Sequence, residues 1–182
     1  MDKKNVFLTG KPGVGKTTLI EKFVQSLPLL AGGFVTREIR EGGRRVGFEI
    51  QALSGEKGIM AHVGFPYSLR VGRYGVDISC LERIGVVALE RAVHSSPLVV
   101  VDEIGKMELM SVEFRKMLLK VLDSPKMVLA TITKGKGGVV GMMKSRSDVV
   151  LIEVTVENRD RLVKEVGEWV LSRVKIQGKE LV

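Results

Sequence analysis

Gly10-Lys11-Pro12-Gly13-Val14-Gly15-Lys16-Thr17-Thr18 is the stretch that decides the fold. It matches G-x-x-x-x-G-K-S/T in full. Its flanks agree: Val6-Phe7-Leu8 leads in as an apolar strand, and Leu19-Ile20-Glu21-Lys22-Phe23-Val24 leads out as a helix. Strand, glycine loop, helix is the order a phosphate-binding P-loop requires. The glycines let successive backbone N–H groups turn toward the β- and γ-phosphates of a nucleotide. Lys16 sets a point charge between them, and Thr17 offers a hydroxyl to Mg²⁺. A helix starting near Lys16 aims the positive end of its dipole at the same anion.

The second half of such a site lies downstream, in Leu98-Val99-Val100-Val101-Asp102-Glu103. Continuous aliphatic runs mark parallel strands covered on both faces. Asp102, at the strand's C-terminal end, is placed to hold Mg²⁺ through water. Glu103 beside it is expected to orient or deprotonate the attacking water, which makes Lys16 and Glu103 the candidate catalytic pair. The plainer reading makes Glu103 a solvated loop residue or a helix-capping acid.

Working outward, 182 residues suffice for one domain with a sizeable core and are short for two, so residues 1–182 are read as a single nucleotide-binding domain. Hydrophobic residues make up 45%, which excludes a disordered chain. The single Cys80 rules out an intramolecular disulfide and a multi-Cys zinc site, and its apolar helical setting reads as core. Met1-Asp2-Lys3-Lys4 is followed by only a short apolar strand, so no signal peptide is expected, and no run is long enough for a membrane span. A cytoplasmic setting follows as an expectation. The net charge of +8 is spread widely, with groups at Arg37, Arg40, Arg44, Arg45 and at Lys134, Lys136, Lys144, Arg146. Aromatics are only 5%, too few for stacking platforms on single strands. Nucleotide phosphates are therefore the favoured anion over nucleic acid.

The chain alternates strands and helices throughout. The pattern predicts a strand over residues 5–9, a helix over 16–26 that Pro28 helps to stop, and a new segment from Gly32-Gly33. It predicts a hairpin of 34–40 and 46–52 around Glu41-Gly42-Gly43-Arg44, and short antiparallel strands or loops over 53–76. A helix is predicted to start near Ser79, where Ser79-Cys80-Leu81-Glu82 has capping-box spacing, and to end near Val93. After the strand at 98–101 come a helix over 111–122 ended by Ser124-Pro125, strands over 127–132 and 149–154, and a closing helix over 157–173. Trp169 on that helix reads as packing rather than base stacking.

Several further segments occur in one order: Gly33-Phe34-Val35-Thr36-Arg37-Glu38, Gly43-Arg44-Arg45-Val46-Gly47-Phe48, Val71-Gly72-Arg73-Tyr74, Asp102-Glu103-Ile104-Gly105-Lys106-Met107-Glu108 and Val154-Thr155-Val156-Glu157-Asn158-Arg159. With the P-loop ahead of them, the chain resembles the THEP1 family of small nucleoside-triphosphatases over nearly its whole length. The resemblance implies an α/β three-layer sandwich with a mostly parallel sheet. It places an extra strand between the strand before the P-loop and the strand carrying Asp102. It also implies Mg²⁺-dependent hydrolysis of ATP, GTP, CTP and UTP with weak base discrimination. The nucleotide-contacting stretches it implies are Gly10 to Thr17, extended here to Thr18, and Leu98, Val99, Val100, Val101, Asp102, Glu103, Ile104 and Gly105, with Thr17 and Asp102 at the metal.

Two other readings remain open. A nucleotide or small-molecule kinase would place an acceptor in the insertion at 33–76 and use an arginine such as Arg146 as a lid. The other is a GTP switch or a nucleic-acid-linked module: Asp102-Glu103-Ile104-Gly105 matches the switch motif D-x-x-G, but Thr133-Lys134-Gly135-Lys136 lacks the Asp that reads guanine. Thr131 or Thr133 reaches the γ-phosphate or the water if their strand lies between the two nucleotide-binding strands. Lys106 either reaches a phosphate or pairs with Glu108. The stretch from Lys134 to Gly141 reads as a flexible basic loop, closing over the nucleotide or merely connecting. His62 and His94 are given no role.

Overall fold

In the computed structural model, which describes residues 3–27 and 31–177 (the last four as backbone only), β1 (Asn5–Thr9) runs through the glycine loop into α1 (Lys16–Ser26). β2 (Ala31–Glu41) and β3 (Arg44–Ala52) form a hairpin whose two-residue turn, Gly42-Gly43, has both φ angles positive, as such tight turns require. β4 (Lys57–His62), β5 (Arg70–Val71) and β6 (Tyr74–Val76) extend it. A helical run follows, made of α2 (Ile78–Leu81), a π-helical turn (Glu82–Val86) and α3 (Val87–Ser95). Then come β7 (Leu98–Ile104), a 3₁₀ turn (Glu108–Met110), α4 (Val112–Asp123), β8 (Met127–Ile132), α5 (Gly138–Lys144), β9 (Val149–Glu153) and α6 (Arg159–Gln177).

The strands make one sheet in the order β5-β6-β4-β3-β2-β7-β8-β1-β9. β8 lies between β1 and β7, in the place of the expected extra strand. From β2 to β9 every pairing is parallel; from β2 to β5 every pairing is antiparallel. The sheet is thus evenly mixed among the described residues rather than mostly parallel. The hairpin is not a separate insertion either. Ala31–Phe34 of β2 pairs with Leu98–Val101 of β7, and from Phe34 onward the same strand pairs with β3.

Side-chain alternation along the parallel strands builds the layers. Leu98 and Val100 pack with Leu19, Ile20 and Phe23 of α1 and Leu162, Val166 and Val170 of α6. Val99 and Val101 pack with Leu89 of α3 and Phe114 and Leu118 of α4. Each strand is therefore apolar on both faces, and each wholly buried Leu, Ile or Phe contributes about 1.5–3 kcal/mol. Asp102 continues the phase of Leu98 and Val100, the phase that faces α1. A carboxylate is delivered to the helix that follows the glycine loop by strand geometry alone.

Some boundaries differ from those read in the sequence. The helix expected at Ser79 is capped two residues earlier: the Asp77 carboxylate accepts the Cys80 N–H at 2.9 Å, and Ile78 is its first residue. Both residues can cap, but Asp77 follows directly on β6, so the chain must turn there. The helix over 111–122 is as expected, with the Ser111 hydroxyl accepting the Phe114 N–H at 2.9 Å. The supposed flexible loop of 134–141 contains the first half of α5, anchored by the fully buried Met143. β7 continues to Ile104, with a register break between Val101 and Ile104 and a cis peptide between Asp102 and Glu103. Cys80 is buried in the core, as expected. Trp169 packs against the α1–α6 layer, with the Arg173 guanidinium 5.4 Å over its ring. Pro28 lies outside the described residues.

Candidate active site

The glycine loop bends back on itself between two fixed points. The Val14 N–H donates to the Lys11 carbonyl at 3.3 Å, and the Leu19 N–H to the Gly15 carbonyl at 2.9 Å. Gly15, the residue before α1, has φ +107°, a conformation side chains resist. A Cβ on Gly10 would sit 2.7 Å from the Val154 carbonyl oxygen, so the loop's first residue must be glycine to pass the chain just beyond β9. The Lys16 ammonium donates to the Gly10 carbonyl at 3.3 Å and to that of Lys11 at 3.5 Å. The loop thereby presents N–H groups, a helix N-terminus and a cation on one side of a cleft of about 970 Å³.

Asp102 is wholly buried at the base of that cleft. The Thr131 hydroxyl of β8 donates to its Oδ1, and the Thr36 N–H of β2 approaches its Oδ2 at 3.5 Å. Burial pushes its pKa up to about 6; the hydroxyls of Thr131 and Thr17 pull the other way, and the neighbouring Glu103 charge adds to the rise. Glu103 lines the cleft and is also raised by burial, while the charge of Lys16 opposes that. Glu108 is almost completely buried, accepts the Gly105 N–H at 3.1 Å, and has its pKa pushed up to about 8 by burial and by the charges of Glu103 and Asp102. A Cβ on Gly105 would lie 2.8 Å from Glu108 Oε2 and 2.9 Å from Glu103 Oε1, so the two carboxylates close round one backbone point. The raised pKa favours the protonated form of Glu108, which limits negative charge where phosphates would bind.

This geometry distributes the candidate residues unevenly. Gly10, Pro12, Gly13, Gly15, Lys16, Thr17, Thr18, Glu103 and Gly105 line the cleft. Lys11 and Val14 belong to the loop without lining it. Leu98, Val99, Val100, Val101 and Ile104 are fully buried in β7 and are the stem that carries Asp102 and Glu103, not cleft wall. The conditional reading of β8 resolves unequally: Thr131 is committed to Asp102, and Thr133 reaches the cleft. Lys106 lines the cleft and does not pair with Glu108, whose carboxylate takes the Gly105 N–H instead.

Arg146 is no lid. It is clamped to Asp148 at 2.9 Å and Asp123 at 2.8 Å, and Asp148 also accepts from Asn5 at 3.1 Å. Those carboxylates hold its pKa above the usual arginine range. Lys134 pairs with Glu153 at 2.7 Å. The sequence reading missed Thr36, whose backbone role leaves no signal. It also missed the part of Glu108 in the site, although a lone carboxylate among Met107, Leu109 and Met110 was a signal. Among the described residues no group of three or more His, Cys, Asp or Glu is arranged to hold a metal, and no helix is long and apolar enough to cross a membrane. One carboxylate and one hydroxyl, Asp102 and Thr17, suit Mg²⁺, which is commonly bound through one or two carboxylates together with substrate phosphates.

The family model for NTPase matches residues 5–167. The chain is 51% identical over 161 residues to the nucleoside-triphosphatase THEP1 of Thermotoga petrophila, covering 88% of this chain and 89% of that one. Among solved structures, THEP1 from the hyperthermophile Aquifex aeolicus superposes with a TM-score of 0.84 at 36% identity, over 94% of this chain and 99% of that one. A human cancer-related nucleoside triphosphatase superposes with a TM-score of 0.79 at 38% identity, over 97% and 100% of the two chains.

Proposed function

The chain belongs to the THEP1 family of nucleoside-triphosphatases, and from that premise we propose that it cleaves the γ-phosphate of nucleoside triphosphates with water as acceptor. The observation that carries the reading is Lys16 and Glu103 lining one cleft, close enough for the charge of Lys16 to act on the Glu103 carboxylate, with Asp102 wholly buried next to Glu103. Gly10, Pro12, Gly13, Gly15, Lys16, Thr17, Thr18, Glu103 and Gly105 contact the nucleotide, while Leu98 to Val101 and Ile104 position the second stretch. Backbone N–H groups of the loop and the N-terminus of α1 hold the β- and γ-phosphates. Lys16 neutralises charge that builds on them in the transition state. Glu103 orients the attacking water and takes its proton; its raised pKa makes it a better base than an ordinary carboxylate. Thr17 and Asp102 would hold Mg²⁺, which when bound supplies positive charge to the β- and γ-oxygens. Thr131 and Thr36 keep Asp102 in place.

All the groups in this scheme act on phosphate or water, and none reads a base edge. ATP, GTP, CTP and UTP are accordingly expected to be hydrolysed at similar rates. The test is phosphate release from each of the four, with Mg²⁺ and with the metal chelated. Release of one phosphate per diphosphate formed, lost on chelation, supports the reading; no release above background from any of the four overturns it. Asp102→Asn should weaken metal-dependent nucleotide binding and turnover together, whereas Glu103→Gln should spare binding.

A further inference from the structure

The scheme above leaves one wall of the cleft without a task. β2 runs past the carboxyl ends of the parallel strands, and its alternate residues Glu38 and Arg40 line the cleft. Across the hairpin, Glu38 pairs with Phe48 and Arg40 with Arg45. Phe48 and Arg45 are three residues apart, so strict alternation would put them on opposite faces. The bulge that leaves Val46 out of the register brings both to the cleft. Tyr74 of β6 completes the group, with its ring 5.3 Å edge-on to Phe48.

The charges here are organised. The Arg45 guanidinium lies 5.1 Å over Phe48 and 5.7 Å over Tyr74. Its Nε donates to the Tyr74 hydroxyl at 3.0 Å and its Nη1 to Glu38 at 2.7 Å. Nη2 has no hydrogen-bond partner among the described residues. Arg40 donates to the same Glu38, and Arg73 sits 5.3 Å over the other ring, Tyr74. Arg40 and Arg45 thus share one carboxylate, leaving one positive charge on the cleft wall, and Arg73 adds a second beside Tyr74 without lining the cleft. Of the other basic residues lining the cleft, Arg37 is matched by Glu21 at 2.6 Å and Lys134 by Glu153 at 2.7 Å, while Lys16 belongs to the glycine loop and Lys106 to the turn after β7. The network is no stability device, because the side chains of Arg40 and Arg45 are 56% and 38% exposed and such pairs contribute little. A stacked, held guanidinium with a free edge is instead suited to a planar or tetrahedral oxyanion. The cleft, at about 970 Å³, is at the top of the range of roughly 300–1,000 Å³ for small-molecule sites.

We propose that this wall is a second ligand subsite, which takes a small phosphomonoester attached to a ring while a nucleoside triphosphate occupies the glycine loop. The surplus charge of Arg40 and Arg45 over Glu38, with Arg73 beside Tyr74 adding a second, suits a phosphomonoester, which carries about −1.5 to −2 at neutral pH. Arg45 and Arg40 bind the phosphate, and Phe48 and Val71, which also lines the cleft, receive the ring. Nucleoside 5′-monophosphates have this chemistry, and so do sugar phosphates; they differ in whether the ring is aromatic.

The test is calorimetric titration of AMP, UMP, ribose 5-phosphate and inorganic phosphate into the protein saturated with Mg²⁺ and a non-hydrolysable triphosphate analogue. The monophosphates should bind at one per chain. Ribose 5-phosphate matching AMP would assign the ring contact to the sugar, and weaker binding would assign it to the base. Arg45→Gln should weaken binding by roughly tenfold or more, and Arg45→Lys, which keeps the charge but loses the fork, by less. Both variants should keep the wild-type affinity for the analogue and the wild-type basal hydrolysis, which also shows that they are folded. Absence of binding to the saturated protein, or binding that neither variant changes, overturns the subsite. A wild-type protein that binds monophosphate through Arg45 yet hydrolyses no triphosphate would remove the hydrolytic reading and leave this one standing.

Discussion

The two halves of the sheet solve different problems with one shared strand. The parallel half, from β2 to β9, is apolar on both faces and places only a few polar groups at its carboxyl ends. There, in the proposed scheme, the backbone of a loop, one lysine and buried carboxylates would handle phosphate. The antiparallel half, from β2 to β5, presents a polar face of arginines, a glutamate and aromatic rings to the same cleft. Where the chemistry is common to all nucleotides, burial and backbone suffice. If the second subsite takes a particular partner, side chains with exposed ends would recognise it. The contrast means that changes in the parallel half should be severe and changes in the antiparallel face mild.

The largest effect is expected from Glu103→Gln, which keeps size but removes the base: single-turnover hydrolysis should fall by about 10²–10⁴ with nucleotide affinity nearly unchanged. Normal hydrolysis would make Glu103 a structural acid and empty the parallel half of its general base. Gly33→Ala strikes the seam. Gly33 has φ +111°, and an added Cβ would lie 2.1 Å from the Val100 carbonyl oxygen, a backbone atom that cannot swing aside. The loss should be about 3–5 kcal/mol, read as a fall in thermal or denaturant midpoint. A near-native midpoint would mean that the β2–β7 junction is plastic. Lys16→Ala should lower turnover roughly a hundredfold, equivalent to about 3 kcal/mol in the transition state, with the fold intact; a drop of only a few-fold would move the catalytic centre away from the glycine loop.

Arg40→Ala should change unfolding free energy at neutral pH by less than about 1 kcal/mol, because its ion pair is exposed. Arg45 and Arg40 depress the Glu38 pKa below the ordinary carboxylate range, although burial opposes them. A depressed carboxylate stabilises the fold above its unfolded pKa and loses that contribution as pH falls through the folded value. The small difference between wild type and Arg40→Ala should therefore vanish below that pH. A difference that persists in acid would show that Arg40 acts through packing rather than charge.

The parallel half was the legible one. Val6-Phe7-Leu8, Leu98 to Val101 and Met127 to Ile132 declare themselves as buried strands because both faces demand aliphatic residues, and the glycine loop has a fixed spacing. The antiparallel half was legible only as a hairpin. Its turn was evident from Gly42-Gly43, but Arg40 and Arg45 look in sequence like any solvated basic group. Their common face depends on a skipped pairing at Val46 that no local pattern announces. α5 was hidden because Gly137, Gly138 and Gly141 suggest a loop, and its anchor is the tertiary burial of Met143. The Asp77 cap lost to Ser79 because two capping residues stood close together and only the end of β6 decides between them.

Because β2 crosses from one half to the other without interruption, it imposes an odd–even rule on insertions and deletions. Removing one residue between Phe34 and Glu38 would hold Phe34 beside Val101 yet rotate Glu38 and Arg40 to the opposite side of the ribbon. Removing two would keep their orientation and shift them by about 7 Å along the strand. Length changes in this segment should therefore survive in pairs or not at all, whereas the turn at Ser54-Gly55, which faces solvent, carries no such constraint.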